Sequence, residues 1–345
     1  MRICYLSKKY KILGSAGNKA KTDIETVLEQ MGAHNIGLKD SLYENKLKGF
    51  RVSLTSVMKA FFCLKKGDVL VIQYPFKKFY TILCNLAHLR GSKVVTVIHD
   101  LGSFRRRKLS PEKEVTRLNH SDYIIAHNGK MKKWLLDNGS KSQIGCLELF
   151  DYLSSTNADE SVPPLSPDTV VYAGALNARK NPFLYDLGDQ MENYRLNLYG
   201  GGFDEAMIKN PEKIHYKGFV PSDELIASVD GHFGLVWDGN SIYKCDGVNG
   251  EYLRYNNPHK TSLYIRCLLP VIIWKEAALA SFIGEHGIGI CIGSLTELDD
   301  IIGSMTMDEY MKLKDNVKKI NDRISHGYYI KHALEEACRC LSAPK

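Results

Sequence analysis

No run of eighteen or more apolar residues exists in this chain, which excludes a transmembrane helix. The opening MRICYLSKKYKILG lacks the apolar core of a secretory signal, so a cytoplasmic chain is expected. Nine cysteines include no CxxC pair and no metal-ligand spacing, and only Cys338 and Cys340 stand close. They are expected to be reduced core residues. No GxGxxG with a later acidic partner is present, so a dinucleotide site is poorly supported. No repeat of 20–50 residues occurs. The basic residues have no aromatic interleaving and no known motif, which argues against nucleic acid as a partner.

What is present is a 345-residue chain, 44% hydrophobic and 25% charged, long enough for two cores. The net charge of +7 is unevenly placed. Residues 1–150 hold 27 Lys and Arg against 12 Asp and Glu, while residues 151–345 hold 19 against 27. Halves of opposite sign suggest two domains with different partners. The run Arg105-Arg-Arg-Lys108 is the sharpest basic feature, and its ordinary reading is a solvated loop.

Short apolar segments alternate with amphipathic ones. Strands are expected at Arg2–Leu6, Asp68–Tyr74, Lys93–His99, Tyr123–His127 and Gln143–Leu149. A second set follows at Thr169–Ala173, Arg195–Tyr199, Ile214–Lys217, His232–Trp237, Pro270–Trp274 and Gly289–Ile292. Continuous β-branched runs such as Val94-Val-Thr-Val-Ile98 fit parallel strands covered on both faces. Helical stretches between them, including 180–192, 275–284 and 307–323, give βαβ units. The fold class is therefore α/β, with two Rossmann-like doubly wound domains facing a cleft. The expected boundaries are a first domain at 1–153, a proline-rich linker at 154–168 and a second domain at 169–325. A final helix at 326–345 is expected to cross back to the first domain.

Asn257-Pro258-His259-Lys260 opens an apolar helix ten residues before the strand at Pro270. A helix N-terminus directs unpaired N–H groups and a positive dipole end forward, and Lys260 adds a full charge. That equipment suits a diphosphate, although a capped helix with an exposed lysine has the same sequence. Gly174-Ala-Leu-Asn-Ala-Arg179-Lys180-Asn181 follows a strand and places two cations at an expected helix start. Gly200-Gly-Gly202 bares the backbone after the next strand. Lys217-Gly-Phe-Val220 precedes Ser222, an expected N-cap, and Phe219–Val220 could read a base through the backbone. Residues 246–260 mix glycines, aromatics, carboxylates and bases, which is rich for a mere connection.

Together the YAGAL–RK loop, the YGGG turn, the KGFVPSDEL segment and an NPHK-headed helix running into PVIIW resemble GT-B glycosyltransferases. The similarity is to the family of bacterial serine-rich-glycoprotein glucosyltransferases and β-1,6-galactofuranosyltransferases, clearest over residues 169–293. It implies a UDP-sugar donor, with Arg179 and Lys260 on the diphosphate. Asn257 and His259 would order the loop, and Tyr252 would cover the sugar or uracil. Gly174, Leu176, Lys180, Gly201, Phe219 and Val220 complete the donor side. Gln73-Tyr74-Pro75 and the loop Gly14-Ser15-Ala16-Gly17 fall on the acceptor side. The resemblance implies no DxD metal pair and no cofactor beyond the donor.

Retaining relatives place two glutamates eight residues apart near the NPHK helix, whereas Tyr255 to Leu263 has none. Inversion is therefore expected, with a base on the first domain. His99 and Asp100, at a strand end, are the candidates, with Asp246 and Glu251 in reserve. The resulting expectation is an inverting, metal-independent transferase moving galactofuranose, or next glucose, to a glycan on a lipid or glycoprotein carrier. Self-association and peripheral contact at the inner membrane face through Arg105–Lys108 accompany it. A UDP-sugar 2-epimerase and a non-catalytic transferase-like subunit are the alternatives.

Overall fold

A computed structural model describes residues 1–7, 16–37, 46–76, 79–105, 109–159 and 166–343. Among them the chain forms two compact units. The first is Met1–Asp151 together with the chain from Gly327 onward, and the second is Tyr152–His326.

The first unit holds a parallel sheet of β1 (Ile3–Tyr5), β2 (His34–Asn35), β3 (Val69–Tyr74), β4 (Lys93–Ile98), β5 (Tyr123–Ala126) and β6 (Gln143–Cys146). Their spatial order is β2-β1-β3-β4-β5-β6. All six residues of β3 are buried, as are the last five of β4, which is what a strand covered on both faces requires. β2 was not anticipated: two residues, one of them an exposed histidine, carry no periodic signal. The helices Lys46–Cys63 and Tyr80–Leu89 bury Val57, Ala60, Leu83, Cys84 and Ala87 in the core. Inside, the hydroxyls of Tyr80, Thr96 and Ser121 bond one another at 2.5–2.8 Å, so no polar atom of the three is stranded.

The second unit has β7 (Thr169–Ala173), β8 (Arg195–Tyr199), β9 (Ile214–Gly218), β10 (Phe233–Val236), β11 (Val271–Trp274) and β12 (Gly289–Ile292). They are parallel in the order β12-β11-β10-β7-β8-β9. The helix expected at 180–192 is instead one α-turn, Phe183–Asp186, and a 3-10 turn, Gly188–Gln190. The segment presses on its neighbour there: a Cβ on Gly188 would lie 2.8 Å from the Asn210 backbone nitrogen. The helix expected at 275–284 begins only at Ala280 and ends at Gly287 in the left-handed conformation.

Residues 152–157 are bound to the second unit, although 152–153 were expected to close the first domain and the linker to begin at 154. Tyr152 N donates to Ile324 O at 3.0 Å. Arg266, 1% exposed, donates to Thr156 O at 2.8 Å and to Asn321 Oδ1 at 2.6 Å. The last helix, Tyr328–Ser342, packs on the helix Ala16–Gln30 and on β5 and β6. Its start is capped by Asp151, whose carboxylate accepts from Tyr329 N at 3.1 Å and Ile330 N at 2.8 Å. Burial pushes the Asp151 carboxyl up to about 7, outweighing the two amides that favour its charge.

Candidate functional site

In a doubly wound sheet, ligands bind beyond the C-terminal ends of the strands, where the strand order reverses. In the second unit the chain runs from β7 through β8 to β9, then returns to β10 on the other side of β7. The reversal therefore lies between β7 and β10.

Lys260 stands there. It is the second residue of the helix His259–Arg266, whose N-cap is Pro258 with no side-chain cap. Its Nζ donates to Tyr172 Oη of β7 at 3.1 Å, to Asp238 Oδ1 just beyond β10 at 3.2 Å, and to Trp237 O at 3.4 Å. It also lies 4.3 Å from the centre of the Tyr172 ring. The Lys260 and Asp238 side chains are only 16% and 15% exposed. Tyr172 donates to the same carboxylate oxygen at 3.3 Å, and burial drives its hydroxyl far above the usual tyrosine range. Asp238 was not anticipated. It stands 22 residues from Lys260, and no local pattern links them.

The neighbouring loops are stitched to each other by backbone. Gly174 N donates to Tyr199 O at 2.9 Å, Leu176 N to Gly201 O at 3.0 Å, and Gly200 N to Gly218 O at 2.8 Å. A Cβ on Gly200 would fall 1.8 Å from Gly174 O, and φ at Gly200 is +149°, so this position demands glycine. A Cβ on Gly201 would meet nothing within 4 Å. The loop after β7 is held by Asn181 Nδ2 on Ala175 O and by Tyr185 Oη on Leu176 O, both at 2.7 Å. Arg179 is exposed and Lys180 half-buried. They stand in a turn rather than at a helix start, because the helix begins at Phe183 and lasts one turn.

The stretch 246–260 contains a short helix, Gly247–Tyr252, rather than a continuous loop. Two of its glycines serve chain packing, since a Cβ on Gly250 would lie 2.7 Å from Asp238 O and one on Gly247 2.8 Å from Asn240 Nδ2. Tyr252 is 4% exposed and Asn257 3%, so both side chains are buried. His259 stacks on Tyr152 with ring centres 4.8 Å apart. Glu251 pairs with Arg254 at 2.8 Å, and Arg254 lies over Trp274 and also binds Glu276. Asp246 accepts from Asn240 N at 2.7 Å. Phe219 is 74% exposed and Val220 half-buried. Ser222 is the first helical residue, with Pro221 as the N-cap, because the backbone turns one residue earlier than the serine. Among the described residues no group of three or more His, Cys, Asp or Glu side chains is arranged to hold a metal ion.

In the first unit the order reverses between β1 and β3. His99 follows β4, with its N–H on Tyr74 O at 2.9 Å and its ring stacked on Phe150 at 5.7 Å. His99 Nε2 lies 2.6 Å from Gln73 Oε1. The Gln73 amide nitrogen donates to Lys21 O at 3.2 Å, so its oxygen accepts from His99 Nε2–H. Asp100 beside it is half-buried. His127, whose ring meets Phe150 edge-on, is buried, donates to Ile98 O at 3.0 Å and is pushed down to about 4 by burial, so it is neutral near pH 7. Tyr74, expected on the acceptor side, lies in the core: it is 1% exposed and donates to Glu114 Oε1 at 2.8 Å. Strand alternation sends it inward and leaves Gln73 to meet His99. Ala16 opens the first helix, whereas Gly14 and Ser15 lie outside the described residues, as do 106–108 of the basic run that begins at Arg105.

Comparison with known proteins agrees with this architecture. Family profiles described as the N-terminal and C-terminal domains of glucosyltransferase 3-like proteins match residues 3–149 and 170–337. The β-1,6-galactofuranosyltransferase WbbI of Escherichia coli (strain K12) is 34% identical over 332 residues, covering 94% of this chain and 93% of that protein. Glucosyltransferase 3 of Streptococcus gordonii is 24% identical over 328 residues, covering 92% of each. Among solved structures, the lipopolysaccharide outer core galactosyltransferase WaaB in its apo form superposes with a TM-score of 0.61 at 12% identity, covering 98% of this chain and 100% of that one. That likeness speaks for the fold alone. Both profiles, the extent of the WbbI match and the two parallel sheets lead to one assignment: this chain belongs to the glucosyltransferase 3-like family and is a hexosyltransferase of the GT-B type.

Proposed function

We propose that the chain transfers a hexose from a UDP-sugar to a glycan acceptor, with inversion at the anomeric carbon and without a metal ion. The observation that carries the donor side is Lys260, a cation at a helix N-terminus where the strand order of the second unit reverses. A leaving nucleoside diphosphate needs its growing charge met, and a fixed ammonium with helix amides meets it without reorganisation. Arg179 is exposed in the loop after β7, whose Leu176 N bonds Gly201 O, and supplies a second cation. The carboxylate of Asp238 holds Lys260 in place before the donor arrives.

The base is assigned to His99 with Asp100. His99 takes the proton of the acceptor hydroxyl, with Gln73 orienting its ring. In a single displacement that hydroxyl attacks the anomeric carbon as the bond to UDP breaks. Galactofuranose is the favoured sugar because the galactofuranosyltransferase relative shares 34% of its residues; glucose comes next. The acceptor is a glycan on a lipid or glycoprotein carrier, handled in the cytoplasm.

The test is a panel of UDP-sugars with glycan acceptors, scored by UDP release and by the anomeric configuration of the product. The reading expects turnover with UDP-galactofuranose or UDP-glucose, and a product of opposite configuration. Retention of configuration would remove the single-displacement mechanism, and turnover without acceptor would favour an epimerase.

A further inference from the structure

The helix Lys46–Cys63 has an ordinary inner face and an unusual outer one. Val57 and Ala60 are buried in the first unit's core. On the outer side Phe50, Leu54, Met58 and Phe62 recur every four residues and are 45%, 42%, 46% and 72% exposed. Residues four apart stand one above the other on a helix, so these four make a single apolar row. The helix Tyr80–Leu89 runs beside it: the rings of Phe50 and Phe79 lie 5.4 Å apart at one end, and Arg90 Nε donates to Leu64 O at 3.0 Å at the other. It adds Ile82 and Leu89, 50% and 78% exposed. Single exposed apolar residues need no account, but a row of four beside two more does.

Charge selects what covers it. Between Glu44 and Asp68 the sequence holds six basic residues and no acidic one. Arg51 directly follows Phe50 and Lys59 follows Met58, all on the exposed side. A second copy meeting this face by two-fold symmetry would set one basic flank against the other. A free anion would use the cations but not the apolar row. An anionic bilayer satisfies both, taking the row into the acyl boundary and the cations onto its headgroups.

We infer that the paired outer faces of Lys46–Cys63 and Tyr80–Leu89 dock on an anionic lipid surface. The site differs from the run at Arg105–Lys108. It deepens the reading of a lipid-borne acceptor, yet vesicle binding needs no donor, so either can fail without the other.

The full chain is sedimented with vesicles of phosphatidylcholine, with or without phosphatidylglycerol. Binding is expected only with phosphatidylglycerol, and it weakens as salt rises. The double variant Arg51→Glu, Lys66→Glu, the second residue being exposed in the turn after the helix Lys46–Cys63, should weaken it about twentyfold or more, at about fivefold per basic residue. Phe62→Ser should weaken it about tenfold with the far-ultraviolet circular dichroism unchanged. Absence of binding to the anionic vesicles overturns the inference. So does unchanged binding in a folded Leu54→Ser, Met58→Ser, Phe62→Ser triple variant. A concentration-dependent oligomer abolished by that triple variant would assign the face to a second copy instead.

Discussion

Lys260 is paired before any donor arrives. Its partner Asp238 is also mostly buried, so the two form one unit at the end of β10. Replacing Lys260 with Ala removes a charge-assisted contact to phosphate and should weaken UDP binding by about 10–100-fold, at roughly 1.5–3 kcal/mol. The same change strands Asp238, so thermal unfolding should also shift downward. Arg179→Ala separates these effects. Arg179 is exposed, so stability should stay within about 0.5 kcal/mol while UDP binding falls. A third substitution addresses the base. Gln73→Leu removes the acceptor that sets the His99 tautomer, and kcat should drop about tenfold with UDP affinity unchanged. Loss of UDP affinity in that variant would instead mean a fold defect.

At the scale of elements, one contact in each unit is open to a direct test. Gly200 is fixed by its approach to Gly174 O, and Gly200→Ala should destabilise the second unit by roughly 2–4 kcal/mol in denaturant unfolding. Gly201→Ala, with open space around its Cβ, should leave stability unchanged and so reports on ligand approach alone. In the first unit Asp151 caps the helix Tyr328–Ser342. Its folded carboxyl titrates near 7 instead of near the usual carboxylate value. A raised folded value favours the protonated form, so this contribution to stability is complete below about pH 4 and is lost as pH rises through about 7. The difference in melting temperature between wild type and Asp151→Asn, measured from pH 5 to 8, should therefore move against the wild type as pH rises. A difference that is flat with pH, or of opposite sign, would show that the two helix amides outweigh burial.

Across the whole molecule, the sequence already carried the regular elements. The β-branched runs at β3 and β4 are buried on both faces, so composition alone identified them. The residues at β7 and β8 matched the expected strands to the residue, since glycines mark both ends of the approach. What escaped was set by contacts distant in sequence. The two-residue β2 has no pattern of its own. Asp238 acquires its role only because β10 returns beside β7. Tyr74 looked available because strand alternation alone does not say which face meets the core, and Glu114 takes its hydroxyl. The anchoring of residues 152–157 by Arg266 is likewise invisible in a polar, proline-bearing stretch.

The uneven charge of the two halves gives the molecule-scale expectation that salt weakens lipid contact while sparing donor binding, because Lys260 is shielded from screening by burial. The central claim is that fixed cations of the second unit hold the donor diphosphate. Calorimetric titration of UDP in the presence of a chelator, run on the wild type and on Lys260→Ala, tests it most directly. The account predicts binding by the wild type and a loss of about 10–100-fold in the variant. Equal affinity in the two proteins, or binding that returns only when manganese is restored, would contradict it.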